Sequence, residues 1–213
     1  MTDTPLPIYL EVGRKRVFAC AIDWPGWSRS GKTEEAAIAE LVKYARRYEV
    51  VASAAGLRFP TDSLSCEIRE RIPGDGTTDF GAPGKVPDVD RAPLTPEDAD
   101  RLISLLEASW RVLDEVVAGA PPALAKGPRG GGRDRDEVVR HVLAAEASYA
   151  RQIGLRLREP SVDETAAVQH QRQAIAGALA TSSSETKWAP RYVIRRMAWH
   201  VLDHAWEIQD KSG

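Results

Sequence analysis

The chain has 213 residues, of which 43% are hydrophobic and 28% are charged, and its formal net charge is −2. A near-neutral chain lacks the basic excess expected of a dedicated nucleic-acid binder, so no nucleic-acid partner is predicted. No apolar run reaches the roughly 18 residues that a membrane-spanning helix needs, and residues 1–7 do not form a signal peptide. Two cysteines, Cys20 and Cys66, are too few for a disulfide framework. We therefore expect a soluble, cytoplasmic protein with no membrane partner.

The first part of the chain predicts a β-β-α-β arrangement. Two runs rich in β-branched and aromatic residues, Ile8–Val12 and Arg16–Ile22, flank a glycine-containing turn and predict a hairpin. Thr33 stands before two glutamates and is a candidate N-cap of a helix that should end near Arg47. Residues 64–72 alternate between apolar and polar side chains, which predicts a half-buried strand.

A segment rich in glycine and proline follows, and we interpret residues 73–96 as a linker. This interpretation divides the chain into an α/β unit over residues 1–72, the linker, and a helical part over residues 97–213. The fold class predicted from these parts is α+β.

The helical part carries four segments with apolar residues at helical spacing. The first begins with Thr95 as cap and Pro96 at the first helical position, and the four are predicted over about 97–118, 134–157, 161–180 and 190–210. Four helices that share an apolar stripe predict a four-helix bundle.

Three of the four histidines are predicted to face the inside of this bundle. His200 and His204 lie one turn apart on the apolar face of the last helix, so both imidazoles could bind one cation. His141 is predicted on the inner face of the second helix and would complete a three-histidine site with open coordination positions, which is typical of a catalytic metal. The alternative is three hydrogen-bonded core histidines. Burying them without a partner would cost several kcal/mol.

The same two helices resemble a known family. Residues 195–210 (RRMAWHVLDHAWEIQD) resemble the last helix of the DinB-like (YfiT-type) bundle superfamily, and residues 140–149 (RHVLAAEASY) resemble its second helix. The resemblance spans roughly residues 97–210. It implies that the family's three metal ligands fall on His141, His200 and His204. It also implies a divalent ion, with zinc or nickel favoured, whereas imidazoles alone would also suit copper or iron. Some members of the family resemble transferases or isomerases that activate a low-molecular-weight thiol.

A second resemblance concerns the N-terminal part. Residues 18–27 (FACAIDWPGW) and 31–36 (GKTEEA) resemble the HicB-type antitoxin fold over about residues 8–50. No helix-turn-helix or ribbon-helix-helix candidate follows, so operator binding is not predicted. Trp24 and Trp27 are expected to pack against the small sheet.

The leading function predicted from these features is that of a metal-dependent transferase or hydrolase acting on a small molecule. Glu207, one turn past His204, is the candidate catalytic residue that would orient an imidazole or accept a proton, and a solvated carboxylate is the alternative. Tyr149 either lines the pocket or packs in the core, while His170 and Asp203 are expected at the surface. The rival function is a non-catalytic interaction protein, in which the HicB-like unit binds a protein partner and the bundle is a scaffold. A homodimer is compatible with either function, and no motif specifies one.

Overall fold

A computed structural model describes residues 5–60, 64–127, 131–181 and 186–213. Residues 1–4 of the N-terminal segment considered above lie outside these ranges. The described chain forms an α+β fold, in which a unit with a small sheet is followed by a helical part, as predicted. None of the described helices combines the length and hydropathy needed to cross a bilayer.

The sheet has four strands in the order β3-β2-β1-β4. They are β1 (Leu6–Val12), β2 (Val17–Ala21), β3 (Ser28–Gly31) and β4 (Cys66–Pro73). Strands β1 and β2 form the predicted antiparallel hairpin, and β4 pairs with β1 in parallel. The predicted β-β-α-β order is wrong in one respect, because it omits β3. This strand has the sequence SRSG, without a β-branched or aromatic residue that would have signalled it.

Seven α-helices are described: α1 (Glu34–Lys43), α2 (Ala45–Ala54), α3 (Gly76–Phe80), α4 (Pro96–Gly119), α5 (Arg135–Ala150), α6 (Thr165–Thr181) and α7 (Pro190–Lys211). The cap at Thr33 is confirmed, since its side chain accepts a hydrogen bond from the backbone N–H of Ala36. The end predicted near Arg47 is wrong. The chain breaks at Tyr44 and continues as α2, because the apolar pattern runs on through the fully buried Tyr48 and Val51.

Two boundaries in the helical part also differ from prediction. The second bundle helix ends at Ala150 rather than near Leu157, because residues Arg151–Ile153 tighten into a 3-10 turn. Gly154 follows with a φ of 86°, a left-handed conformation that glycine adopts without strain. The third bundle helix begins at Thr165 rather than Ser161.

Part of the segment 73–96 packs against the sheet unit, with Thr78 and Asp90 buried, while Phe80 and Val89 are exposed. The segment contains α3 and a 3-10 turn, and two of its backbone N–H groups donate to a buried carboxylate. Glu11 on β1 accepts hydrogen bonds from the Thr78 hydroxyl and from the backbone N–H groups of Gly84 (3.0 Å) and Lys85 (2.9 Å). The division of the chain into domains stays a prediction, but side chains from both sides of this segment share one apolar cluster.

Helix α7 lies between the other bundle helices and the sheet unit, and 15 of its 22 residues are buried. Its Val193 and Met197 belong to the core of the bundle, whereas Leu202 packs with the sheet and α1. The close approach depends on Gly26, whose φ is 93° and where a Cβ would lie 2.8 Å from the Leu202 side chain. Trp27 is fully buried, as expected for a packing residue.

A buried ion pair fixes α7 to the rest of the molecule. The Arg195 guanidinium contacts both carboxylate oxygens of Asp90, at 2.7 and 2.9 Å. It also donates to the backbone carbonyls of Ala21 (2.8 Å) and Ile22 (2.9 Å) at the end of β2. One side chain therefore joins α7, the sheet and the segment 73–96.

Replacement of Asp90 by Asn should be strongly destabilising, because Arg195 would lose its counter-charge while it stays buried. We expect the free energy of unfolding to fall by about 3–5 kcal/mol, measured by denaturant titration. The matched control is Asp210→Asn, which breaks the half-exposed pair between Arg47 and Asp210 and should cost less than about 1 kcal/mol. Equal losses in the two variants would contradict this account.

Candidate metal centre

Helices α5 and α7 bring three histidines together. His200 and His204 are buried on α7, on the same stripe as Val193 and Met197. His141 lies on the side of α5 that faces them, but it is exposed rather than inside the bundle as predicted, so the cluster reaches the surface through it. The three imidazole rings lie within 4.6–5.0 Å of one another, measured between centroids.

The nitrogen atoms are close enough to hold one metal ion. One nitrogen from each of the three residues lies within 4.8 Å of the others, and Nε2 of His200 is 3.1 Å from Nε2 of His141. Two nitrogens that bind one ion at about 2.0–2.1 Å lie about 3.0–3.4 Å apart. The donor set is therefore compatible with a first-row divalent ion.

Glu207 holds the third imidazole. Its Oε2 lies 2.7 Å from Nδ1 of His204, which leaves Nε2 of that ring as the free nitrogen. Lys211 donates to the other carboxylate oxygen at 2.6 Å, and Arg133 lies 3.5 Å from Oε2. The position predicted for Glu207, one turn past His204, thus places it in direct contact with that histidine.

The electrostatics of the cluster favour neutral imidazoles beside an ionised carboxylate. Burial lowers the pKa of His200 well below its ordinary value, and the positive charges of neighbouring groups lower it further. Burial also lowers the pKa of His141. The hydrogen bond with His204 and the contact with Lys211 lower the pKa of Glu207 to about 2. At neutral pH these two histidines are therefore in the form that binds metals.

Two aromatic rings border His200. The rings of Tyr149 and Trp199 each lie 6.0 Å from the His200 ring. The half-buried ring of Tyr149 borders the site and also packs on Trp188. It therefore has features of both a pocket residue and a core residue.

Two arginines near the site were missed in the sequence. Arg196 lies one turn before His200, with its guanidinium against Tyr149 and Trp199. The four-residue spacing was visible in the sequence, but an arginine on a helix is ordinarily solvated. Arg133 precedes α5 and comes near Glu207 only in the folded chain.

The two remaining residues singled out in the sequence lie apart from the cluster. His170 is exposed on α6, as predicted. The side chain of Asp203 is about 35% exposed, and its carboxylate accepts a hydrogen bond from Arg29 at 2.9 Å, which joins α7 to β3. This partner could not be named from the sequence, because β3 was not predicted.

Comparisons with protein-family models, curated proteins and solved structures found no match for the chain. The resemblances to the DinB-like and HicB-like families therefore stay predictions.

The pH dependence of stability should report the lowered pKa values. In the metal-free protein with a chelator present, the unfolded chain takes up protons near pH 6.5, whereas folded His200 does so only at lower pH. The free energy of unfolding should therefore be highest above pH 7 and fall toward pH 5, by about 1.4 kcal/mol for each pH unit between the two pKa values of one histidine. Denaturant titrations should show a weaker dependence in His200→Gln than in the control His170→Gln. The same slope in both variants would contradict this expectation.

Proposed function

We propose that the chain binds a divalent metal ion, zinc or nickel, through His141, His200 and His204, and that it is a metal-dependent transferase or hydrolase acting on a small molecule. The observation that supports this most directly is the convergence of three imidazoles from two helices within 4.8 Å. Three histidine ligands leave coordination positions open, as in catalytic rather than structural sites.

A network of hydrogen bonds between core histidines explains the geometry less completely. A bond between Nε2 of His200 and Nε2 of His141 would satisfy those two atoms at 3.1 Å. Glu207 already takes Nδ1 of His204, so that bond between histidines accounts for only two of the three rings. One cation would use a nitrogen from every ring.

The bound ion would lower the pKa of a thiol or water at an open position. The contribution of Glu207 would be to fix the tautomer and orientation of His204, as carboxylates behind ligating histidines do. A pKa of about 2 makes Glu207 a weak base at neutral pH. The site thus supports a positioning role for Glu207 better than the role of proton acceptor. A low-molecular-weight thiol remains the proposed co-substrate, on the DinB-like resemblance alone.

Metal content is the first test. Protein purified from medium supplemented with zinc and nickel should carry a near-stoichiometric amount of one of them, measured by plasma mass spectrometry. The double variant His200→Ala, His204→Ala should lose it, because one imidazole cannot hold the ion. His170→Ala removes an exposed histidine outside the cluster and should retain the metal.

Two outcomes would count against the proposal. Wild-type protein without stoichiometric metal after loading would remove the basis for metal-dependent chemistry. A cobalt-loaded protein whose absorption spectrum does not change when thiols are added would have no open position, and would favour the non-catalytic scaffold instead.

The positioning role of Glu207 predicts a loss of metal affinity. Glu207→Gln should weaken zinc binding about 10- to 100-fold, because His204 loses its charged hydrogen-bond partner. Competition with a chromophoric chelator would measure the affinity. Asp210→Asn on the same helix removes a carboxylate that pairs with Arg47 away from the cluster, and should leave zinc binding unchanged. If the zinc affinity of Glu207→Gln is unchanged, the carboxylate has only a structural role.

A further inference from the structure

We infer that the ligand taken up by this site is a small carboxylate-bearing molecule, and that Arg196 binds its carboxylate beside the three histidines. This inference rests on the proposed function, since it names the substrate class of the same site. It assigns a specificity-determining role to Arg196.

The position of Arg196 supports this role. Its guanidinium carbon lies 4.8 Å from the ring centroid of Trp199 and 5.8 Å from that of Tyr149. Both rings border His200 at 6.0 Å. Because Arg196 and His200 are four residues apart on α7, their side chains also share one face of the helix. The guanidinium therefore stands at the edge of the histidine cluster.

Among the residues that the structure describes, Arg196 differs from its neighbours on α7 in having no counter-ion. Arg191 and Arg195 each pair with an aspartate. Within the ranges that the structure describes, Arg196 contacts no carboxylate, and its Nη1 donates to the neutral backbone carbonyl of Pro83. A half-buried cation that is held in place by two aromatic rings and a carbonyl is ready to bind an anion with little loss of conformational freedom.

The shape of the free donors favours a carboxylate. Nη1 of Arg196 is bonded to Pro83, and the described residues offer no hydrogen-bond acceptor to Nε or Nη2. The edge formed by these two nitrogens therefore presents two parallel N–H donors. A planar carboxylate accepts such a pair through both of its oxygens, in a charge-assisted geometry that a lysine cannot reproduce.

The net charge of the site also favours an anionic ligand. Three neutral imidazoles would leave the charge of a divalent ion undiminished, and Glu207 is the one carboxylate that the described residues place in contact with the cluster. That carboxylate is already shared with Lys211 and Arg133. A binding site with this excess of positive charge attracts anionic ligands and disfavours cationic ones.

The test compares two thiols of similar size on cobalt-loaded protein. A thiolate that binds cobalt gives a charge-transfer absorption band, so titration yields a dissociation constant for each thiol without an activity assay. The probes are 3-mercaptopropionate, which carries a carboxylate, and 3-mercapto-1-propanol, which is neutral. Wild-type protein should bind the carboxylate probe at least tenfold more tightly. Arg196→Gln should reduce that preference about tenfold and leave binding of the neutral probe nearly unchanged.

Two further variants control for charge and folding. Arg140→Gln removes the same charge from an exposed position next to His141, so it should keep the preference if a specific contact is responsible. Arg196→Lys retains the charge without the paired donors and should restore only part of the preference, even if Arg196→Gln folds poorly. Protein that takes up no cobalt would refute the proposed function. Protein that takes up cobalt but binds both probes equally, or loses the preference equally in Arg140→Gln, would overturn this inference and leave the metal site standing.

Discussion

The burial of α7 from several sides is the constraint on which the rest of the structure depends. A helix that packs against both a bundle and a sheet unit cannot bury a charged residue at low cost unless that residue is paired with an opposite charge. Arg195 meets this requirement through Asp90 and two carbonyls at the end of β2. The pairing ties α7 to the sheet unit, and the opposite face of the helix then presents His200 and His204 toward α5.

The segment 73–96 connects the sheet unit to the histidine cluster. Glu11 on β1 holds Gly84 and Lys85 through their backbone N–H groups, and Pro83, directly before them, accepts a hydrogen bond from Arg196. A buried carboxylate in the sheet thus helps to set the position of an arginine beside the cluster. These contacts join the N-terminal unit to the arginine of the proposed ligand site.

Burial and charge act together at the cluster. Burial keeps His200 neutral, and this favours metal binding at physiological pH. Glu207, which is hydrogen-bonded to His204, carries one negative charge, while Arg196 and Arg133 add positive charge near His200. The proposed ion and the proposed carboxylate ligand are therefore linked, because each makes the charge of the other less costly to bury.

The sequence by itself determined the local features of this protein. The helical period of α7 and the four-residue spacing of His200 and His204 predicted a shared face, and the hairpin and the Thr33 cap followed from short patterns. Only the tertiary structure decided which distant groups meet. Asp90 and Arg195 are 105 residues apart, and neither has a local pattern that names the other. The contacts of Glu11 and Arg196 with the segment 73–96 could not be predicted for the same physical reason. A composition rich in glycine and proline does not indicate which distant carboxylate will accept hydrogen bonds from the backbone N–H groups of the segment.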